Sequence, residues 1–225
     1  MITERAALAA ALAGGAACLA LAYLSSTGRL PPPLSVAFSL VTPLVGAVVL
    51  TWRTRSRWLV LLAVVALAVT AAFHLDELAQ HVSALWFIQH AGVHALLAIV
   101  FGRTLLPGEV PLATRIAHAV LPSMPPEVVR YSRSVTVAWT VYFIAMTALS
   151  ALLYFGAGTA AWSAFATLVS GPLVAVMFAL EFALRRRVLP ASHCASIAET
   201  VAGFRRLMRA PPAAQSTLPA RQPHG

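Results

Sequence analysis

Between Ala6 and Phe182 the chain is a succession of apolar runs, bounded by clusters of Arg, Pro or Gly, with almost no charge inside them. The runs read as about 6–24, 34–52, 58–75, 84–101, 134–155 and 162–182. Each is near the ~20 residues an α-helix needs to cross ~30 Å of hydrocarbon. A backbone in hydrocarbon must satisfy its polar groups internally, so unbroken apolar runs of this length point to helices. The expected fold is therefore all-α: a polytopic membrane protein, a six-transmembrane-helix bundle with cytoplasmic termini.

Composition and charge agree with this. Of 225 residues, 60% are hydrophobic and 10% charged, where a soluble domain has about a quarter charged. A net charge of +9 raises the question of a nucleic-acid partner. Its distribution answers differently. With both termini inside, every arginine but Arg29 is cytoplasmic: Arg5, the turn with Arg53, Arg55 and Arg57, the loop 102–133 and the tail. The positive-inside rule then explains the charge, and no nucleic acid is expected. Lysine is absent and alanine abundant, which suggests a GC-rich bacterial genome and an inner-membrane location. Cys18 lies in the first run and Cys194 in the tail, so no disulfide framework is expected. Met1 to Arg5 is formally neutral, and no clear cleavage site follows, so no secretory signal is expected.

Local signals refine the spans. Ala10, Gly14, Cys18 and Ala22 form a small-residue stripe that suits close helix packing. Pro43 bends the second run. Trp52, Trp58, Trp86 and Trp162 fall at span ends and read as interfacial aromatics. Leu112–Leu121 reads as a short interfacial helix stopped by Pro122. In the tail, Ser196 and Glu199 form a capping box for a basic amphipathic helix within 191–209, lying on lipid or on the cytoplasmic loop. Residues 210–225 read as disordered.

The chemistry concentrates at His74, Asp76, Glu77, His81, Gln89, His90 and His94. His90 and His94 share a helix face at ~9 Å and ~15 Å depth, counted at ~1.5 Å per residue from Ala84. Ionisable groups at such depth are expensive and usually functional. The pair admits a metal site, needing a third ligand from Asp76, Glu77 or His81. It also admits a proton-transfer or substrate-polarising role, or plain hydrogen bonding to neighbouring helices. Two histidines on one helix face cannot grip a haem from both sides. No H-E-x-x-H, cysteine, Walker, dinucleotide or G-x-S-x-G pattern occurs, and neither a metal nor a cofactor is expected. His74, Asp76, Glu77 and His81 would mark the outer mouth of a polar path. Glu181 and Arg185 are spaced for an ion pair. Ser170-Gly171-Pro172 reads as a helix break, with Gly171 and Pro172 at mid-depth, as at transporter sites.

The second half carries further patterns. They are Phe87-Ile88-Gln89-His90-Ala91-Gly92, Phe101-Gly102-Arg103-Thr104-Leu105 and Pro107-Gly108-Glu109-x-Pro111-Leu112-x-Thr114-Arg115. Pro125-Pro126-Glu127, Arg130-Tyr131-x-Arg133-x-Val135-Thr136-x-Ala138-Trp139, Gly171-Pro172-Leu173-Val174 and the Glu181–Arg187 segment follow. From about Trp86 to Pro190 the chain resembles a family of small bacterial inner-membrane proteins. Its members are encoded beside acyl carrier protein, ketosynthase and acyltransferase genes, in clusters for aryl polyene and xanthomonadin-type pigments. The resemblance implies a pathway neighbourhood and no catalytic residue; a ketosynthase label borne by some members does not fit a chain without the soluble thiolase-like domain. It turns attention to Arg103, Arg115, Arg130 and Arg133, whose charge suits an acidic carrier protein as well as topology. The resulting expectation is an accessory protein: a platform or lipid handler for carrier-dependent lipid or polyene assembly, with membrane lipids and an acyl or polyene substrate as partners. The alternatives are a small transporter or flippase with a histidine-lined path, and an intramembrane acyl-transfer enzyme.

Overall fold

The computed structural model describes residues 2–51, 57–121 and 124–190. Every regular element among them is a helix: α1 (Ile2–Ser26), α2 (Pro32–Thr51), α3 (Arg57–Phe73), α4 (Leu75–Gln80), α5 (Val82–Arg103), α6 (Leu112–His118), α7 (Pro126–Leu152), α8 (Thr159–Ala164) and α9 (Ser170–Val188). π-helical turns at Leu153–Ala157 and Phe165–Val169 flank α8. Three helical segments, Val82–Arg103, Pro126–Ala157 and Thr159–Val188, are long and apolar enough to cross a membrane. The earlier helices give shorter apolar stretches, Ala13–Ser26, Pro32–Val45 and Leu61–Phe73. The 17 residues of α3 extend about 26 Å, less than the ~30 Å of a hydrocarbon core. The Arg53 and Arg55 turn, the Ser196–Glu199 capping box, the 191–209 helix and the 210–225 tail lie outside the described residues.

Helix ends follow local chemistry. α1 closes in a Schellman motif: Arg29 N–H reaches Leu24 O at 2.8 Å and Gly28 N–H reaches Ser25 O at 3.0 Å. Gly28 sits at φ +69°, the left-handed conformation that this cap requires. Pro32 then opens α2, where a missing N–H loses no helical bond. After α5, Pro107-Gly108 forms a type II turn with Gly108 at φ +86° and Glu109 N–H on Leu106 O at 3.1 Å. α6 stops at His118, short of the expected Leu121, and continues as turns through Val120. Leu121 precedes a proline and is biased away from helix.

Two compact units divide the chain. The first takes Met1–His94 and Ala145–Val174. Its interior joins Val36, Trp162 and Phe165 to the buried serines Ser25, Ser26, Ser35, Ser39, Ser150 and Ser163. Small hydroxyl side chains let helices approach closely and bond where water is excluded. α1 packs by its last turns, at Ser25 and Ser26. The small-residue stripe is not covered at Gly14 and Cys18 as expected: residues 13–21 are exposed, and nothing lies within 4 Å of a Cβ placed on Gly14. The glycines and alanines offer too little side chain to hold a neighbour there.

The second unit takes Ala95–Ile144 and Ala175–Gly225. Its described core stacks Trp139 against Phe178 and Phe143, with ring centroids 4.7 and 5.5 Å apart, and brings Phe101 to 5.3 Å from Phe143. α6 is pinned by hydroxyls. Leu112 N–H donates to Thr104 Oγ1 at 3.0 Å, and Ala113 N–H to Thr136 Oγ1 at 3.1 Å. Both amides belong to the first turn, where no intrahelical acceptor exists, and Pro111 before them has no N–H to satisfy.

Candidate functional site

The first unit holds the histidine pair. His90 and His94 lie one turn apart on α5 with ring centroids 4.5 Å apart. His94 Nδ1 is 2.8 Å from the His90 carbonyl. A carbonyl only accepts, so Nδ1–H is the donor. His90 Nδ1 is 3.1 Å from Ser150 Oγ, which accepts the Trp162 indole N–H at 2.9 Å. His90 Nε2 is buried and has no hydrogen-bond partner among the described residues.

Chain geometry explains how Ser150 and Trp162 meet. Ser150 sits in the last turn of α7, the π turn follows, and Gly158 reverses the chain at φ 87°, ψ 166°. That conformation is essentially restricted to glycine. α8 then returns Trp162, with 0% exposure, to Ser150. Phe165 lies 5.7 Å from His90 between ring centroids and Trp162 lies 6.3 Å from it. Phe87 stacks on Tyr154 at 4.3 Å, and Tyr154 meets Trp162 at 5.5 Å. One turn before His90, Trp86 donates its indole N–H to Ser25 Oγ at 3.1 Å, and Ser25 donates to Ser35 O at 3.0 Å. Ser26 and Ser163 share a hydroxyl–hydroxyl bond.

The cluster expected at the outer mouth is a separate local arrangement around α4, with His74 and His81 flanking the helix. His74 Nδ1 lies 3.0 Å from Glu77 Oε2, and His81 Nδ1 lies 2.9 Å from Glu77 O. His74, Asp76, Glu77 and His81 are exposed, and Asp76 lines an open cleft with Pro32, Ala79 and Gln80. Gln89 is half-buried on α5. The described residues bring no three His, Cys, Asp or Glu side chains together to hold a metal ion. The third ligand that a His90–His94 metal site requires is therefore not supplied by Asp76, Glu77 or His81.

The four arginines expected in a 102–133 loop lie on helices instead, Arg103 at the end of α5, Arg115 on α6 and Arg130 and Arg133 in the first turns of α7, because helix α7 begins at Pro126, a residue suited to a first helical position. Arg115 ties α6 to the loop before it, with Nε on Val110 O at 2.8 Å and Nη2 on Glu109 Oε2 at 2.7 Å. Arg103, Arg130 and Arg133 are exposed and make no ion pair among the described residues. Glu181 and Arg185 form the pair their spacing implies, at 2.8 Å. Arg185 grips both carboxylate oxygens, and Tyr131 OH reaches Glu181 O at 3.0 Å and Oε1 at 3.2 Å.

Two details differ from expectation. The helix runs unbroken through Gly171 and Pro172, and the irregularity lies just before them, in the Phe165–Val169 π turn. A widened turn absorbs the ring and the missing N–H of Pro172 without ending the helix. Trp162, expected at a membrane interface, is fully buried with its N–H bonded inside.

Sequence reasoning missed Ser150, Tyr154, Phe165 and Tyr131. The signal lay in α7. Val128, Ser132, Thr136, Trp139, Phe143, Met146 and Ser150 recur at steps of three and four, and all are buried. Ser150 thus sits on the inward stripe. Compared with family models, curated proteins and solved structures, the chain matches none.

Proposed function

We propose that the protein is an inner-membrane accessory factor whose cytoplasmic face docks an acidic acyl carrier protein during lipid or polyene assembly. The observation that carries the reading is the exposure of Arg103, Arg130 and Arg133 in one unit, without carboxylate partners among the described residues. Arg186 and Arg187, exposed at the end of α9, add to that charge. Unpaired surface arginines steer an acidic partner and give binding that weakens with salt. Arg115, bonded to Glu109, shapes the loop and stands apart from the docking set.

The accompanying topology is six spans with both termini inside, the orientation that places every arginine but Arg29 in the cytoplasm. The resemblance over Trp86–Pro190 supplies the carrier-protein neighbourhood. A membrane-impermeant thiol reagent tests the orientation in a Cys18→Ala, Cys194→Ala background. A cysteine at Gln80 should react in intact spheroplasts, and one at Leu106 only after lysis.

The docking test is capture of carrier protein by the detergent-solubilised full chain, with intact-mass analysis of what is retained. Capture that is lost at high salt, and lost in the triple variant Arg103→Gln, Arg130→Gln, Arg133→Gln, is expected. Equal capture by the triple variant at matched protein level would overturn the reading.

A second reading, a small transporter or flippase, draws on the π turn at Phe165–Val169, since such turns recur at functional sites. It requires substrate movement that His90→Ala and His94→Ala abolish in a folded protein.

A further inference from the structure

We propose that His90 binds the oxygen end of an otherwise apolar molecule, an acyl ester or fatty carbonyl compound, within the aromatic cluster of Phe87, Tyr154, Trp162 and Phe165. This inference stands on the first unit alone and does not depend on carrier docking.

Hydrogen-bond polarity carries the argument. Ser150 Oγ has one proton to give and accepts the indole N–H of Trp162, a group that only donates. Ser150 is fully buried, and among the described residues the group placed to accept its hydrogen bond is His90 Nδ1, at 3.1 Å. The hydroxyl therefore donates to Nδ1, which must carry the lone pair. In the neutral ring the proton then sits on Nε2. The opposite polarity would strand the serine proton in a buried site, at the desolvation penalty of an unmade bond. The relay Trp162 → Ser150 → His90 thus holds Nε2 as an N–H donor.

That donor is buried and unpartnered among the described residues. A metal ion needs a lone pair at this position, and the relay has used the ring's lone pair on Ser150. An acceptor oxygen fits instead. The His94 ring beside it, 4.5 Å between centroids, has its Nδ1–H committed to the His90 carbonyl. The groups around it are the aromatic rings, Trp162 and Phe165 buried and Phe87 and Tyr154 half-buried, surroundings that suit an aliphatic or conjugated chain rather than a charged headgroup. His90 as a whole is half-buried, while its ring stays fixed by the Ser150 bond.

The test uses the purified full chain in detergent and two photoactivatable probes, a diazirine-bearing methyl palmitate and a diazirine-bearing alkane of the same length. The ester is expected to label the segments around Phe87–His94 and Ser150–Phe165 about fivefold more than the alkane, roughly the ratio one hydrogen bond confers. His90→Phe keeps a flat ring and removes the donor, and should bring ester labelling down to the alkane level. Ser150→Ala frees the tautomer and should give an intermediate value. Equal labelling of the native protein by ester and alkane would overturn the proposal, with no variant needed. So would unchanged ester labelling in a His90→Phe protein that keeps its gel-filtration profile.

Discussion

Trp162 donates its indole N–H to Ser150 Oγ at 2.9 Å, joining α8 to the last turn of α7 across a glycine corner. A fully buried indole in the first unit is thus held by one serine.

Trp162→Phe removes that bond but keeps most of the ring. The expected loss is about 1–2 kcal/mol, since a buried hydroxyl acceptor is left unpaired. Trp162→Ala also opens a cavity and should cost about 3–5 kcal/mol. Equilibrium unfolding of the detergent-solubilised protein reads both. A Phe variant as unstable as the Ala variant would mean that the indole bond, not ring packing, dominates.

Gly158 lies at φ 87°, ψ 166°, and Gly28 at φ +69°. A side chain at Gly158 enters a region only glycine populates, so Gly158→Ala should destabilise by about 1–3 kcal/mol. Gly28→Ala meets the milder left-handed helical region, at about 1 kcal/mol. The order of the two midpoints is the checkable result, and a reversed order contradicts it.

Glu181 is 10% exposed and Arg185 19%. Glu181→Gln removes the carboxylate that Arg185 grips through both oxygens and should destabilise by about 2–3 kcal/mol. Tyr131→Phe removes a hydroxyl donor and should cost about 1 kcal/mol. In a double-mutant cycle the two should be non-additive, because Tyr131 acts through Glu181. Strict additivity would show that the phenol acts through the Glu181 backbone carbonyl and not through its carboxylate.

Thr104→Val and Thr136→Val each uncap one amide of α6. Hydrogen exchange should speed up by about fivefold at Leu112 in the first variant and at Ala113 in the second, each without the other. Equal acceleration at both amides in either variant would indicate fraying of the whole helix instead.

These four sites differ in how plainly the sequence announces them. α5 shows in the sequence as an apolar run, and its observed bounds, Val82–Arg103, extend the expected 84–101 by two residues at each end. The Glu181–Arg185 pair follows from i, i+4 spacing alone. Gly28 before a triple proline announces a helix stop. The His90 relay does not announce itself. Ser150 and Trp162 come together through a π turn and a corner, and π turns leave no periodic trace in composition. Trp162 misleads because a tryptophan near a span end usually marks an interface. The α1 stripe misleads in the other direction, since small residues permit packing without requiring it. Arg115 looks like its three neighbours in the sequence and is separated from them by one carboxylate, Glu109, brought within 2.7 Å by the Pro107-Gly108 turn.

The first unit is joined by serine hydroxyls and indole N–H groups, with uncharged partners at Ser25, Ser26, Ser150 and Ser163. Bonds of this kind are nearly indifferent to ionic strength but compete directly with water for each donor and acceptor. High salt should therefore screen the exposed arginines and leave this interior whole. A short-chain, water-permeable detergent should do the reverse. The choice of solubilising agent thereby selects which half of the protein's behaviour an experiment can observe.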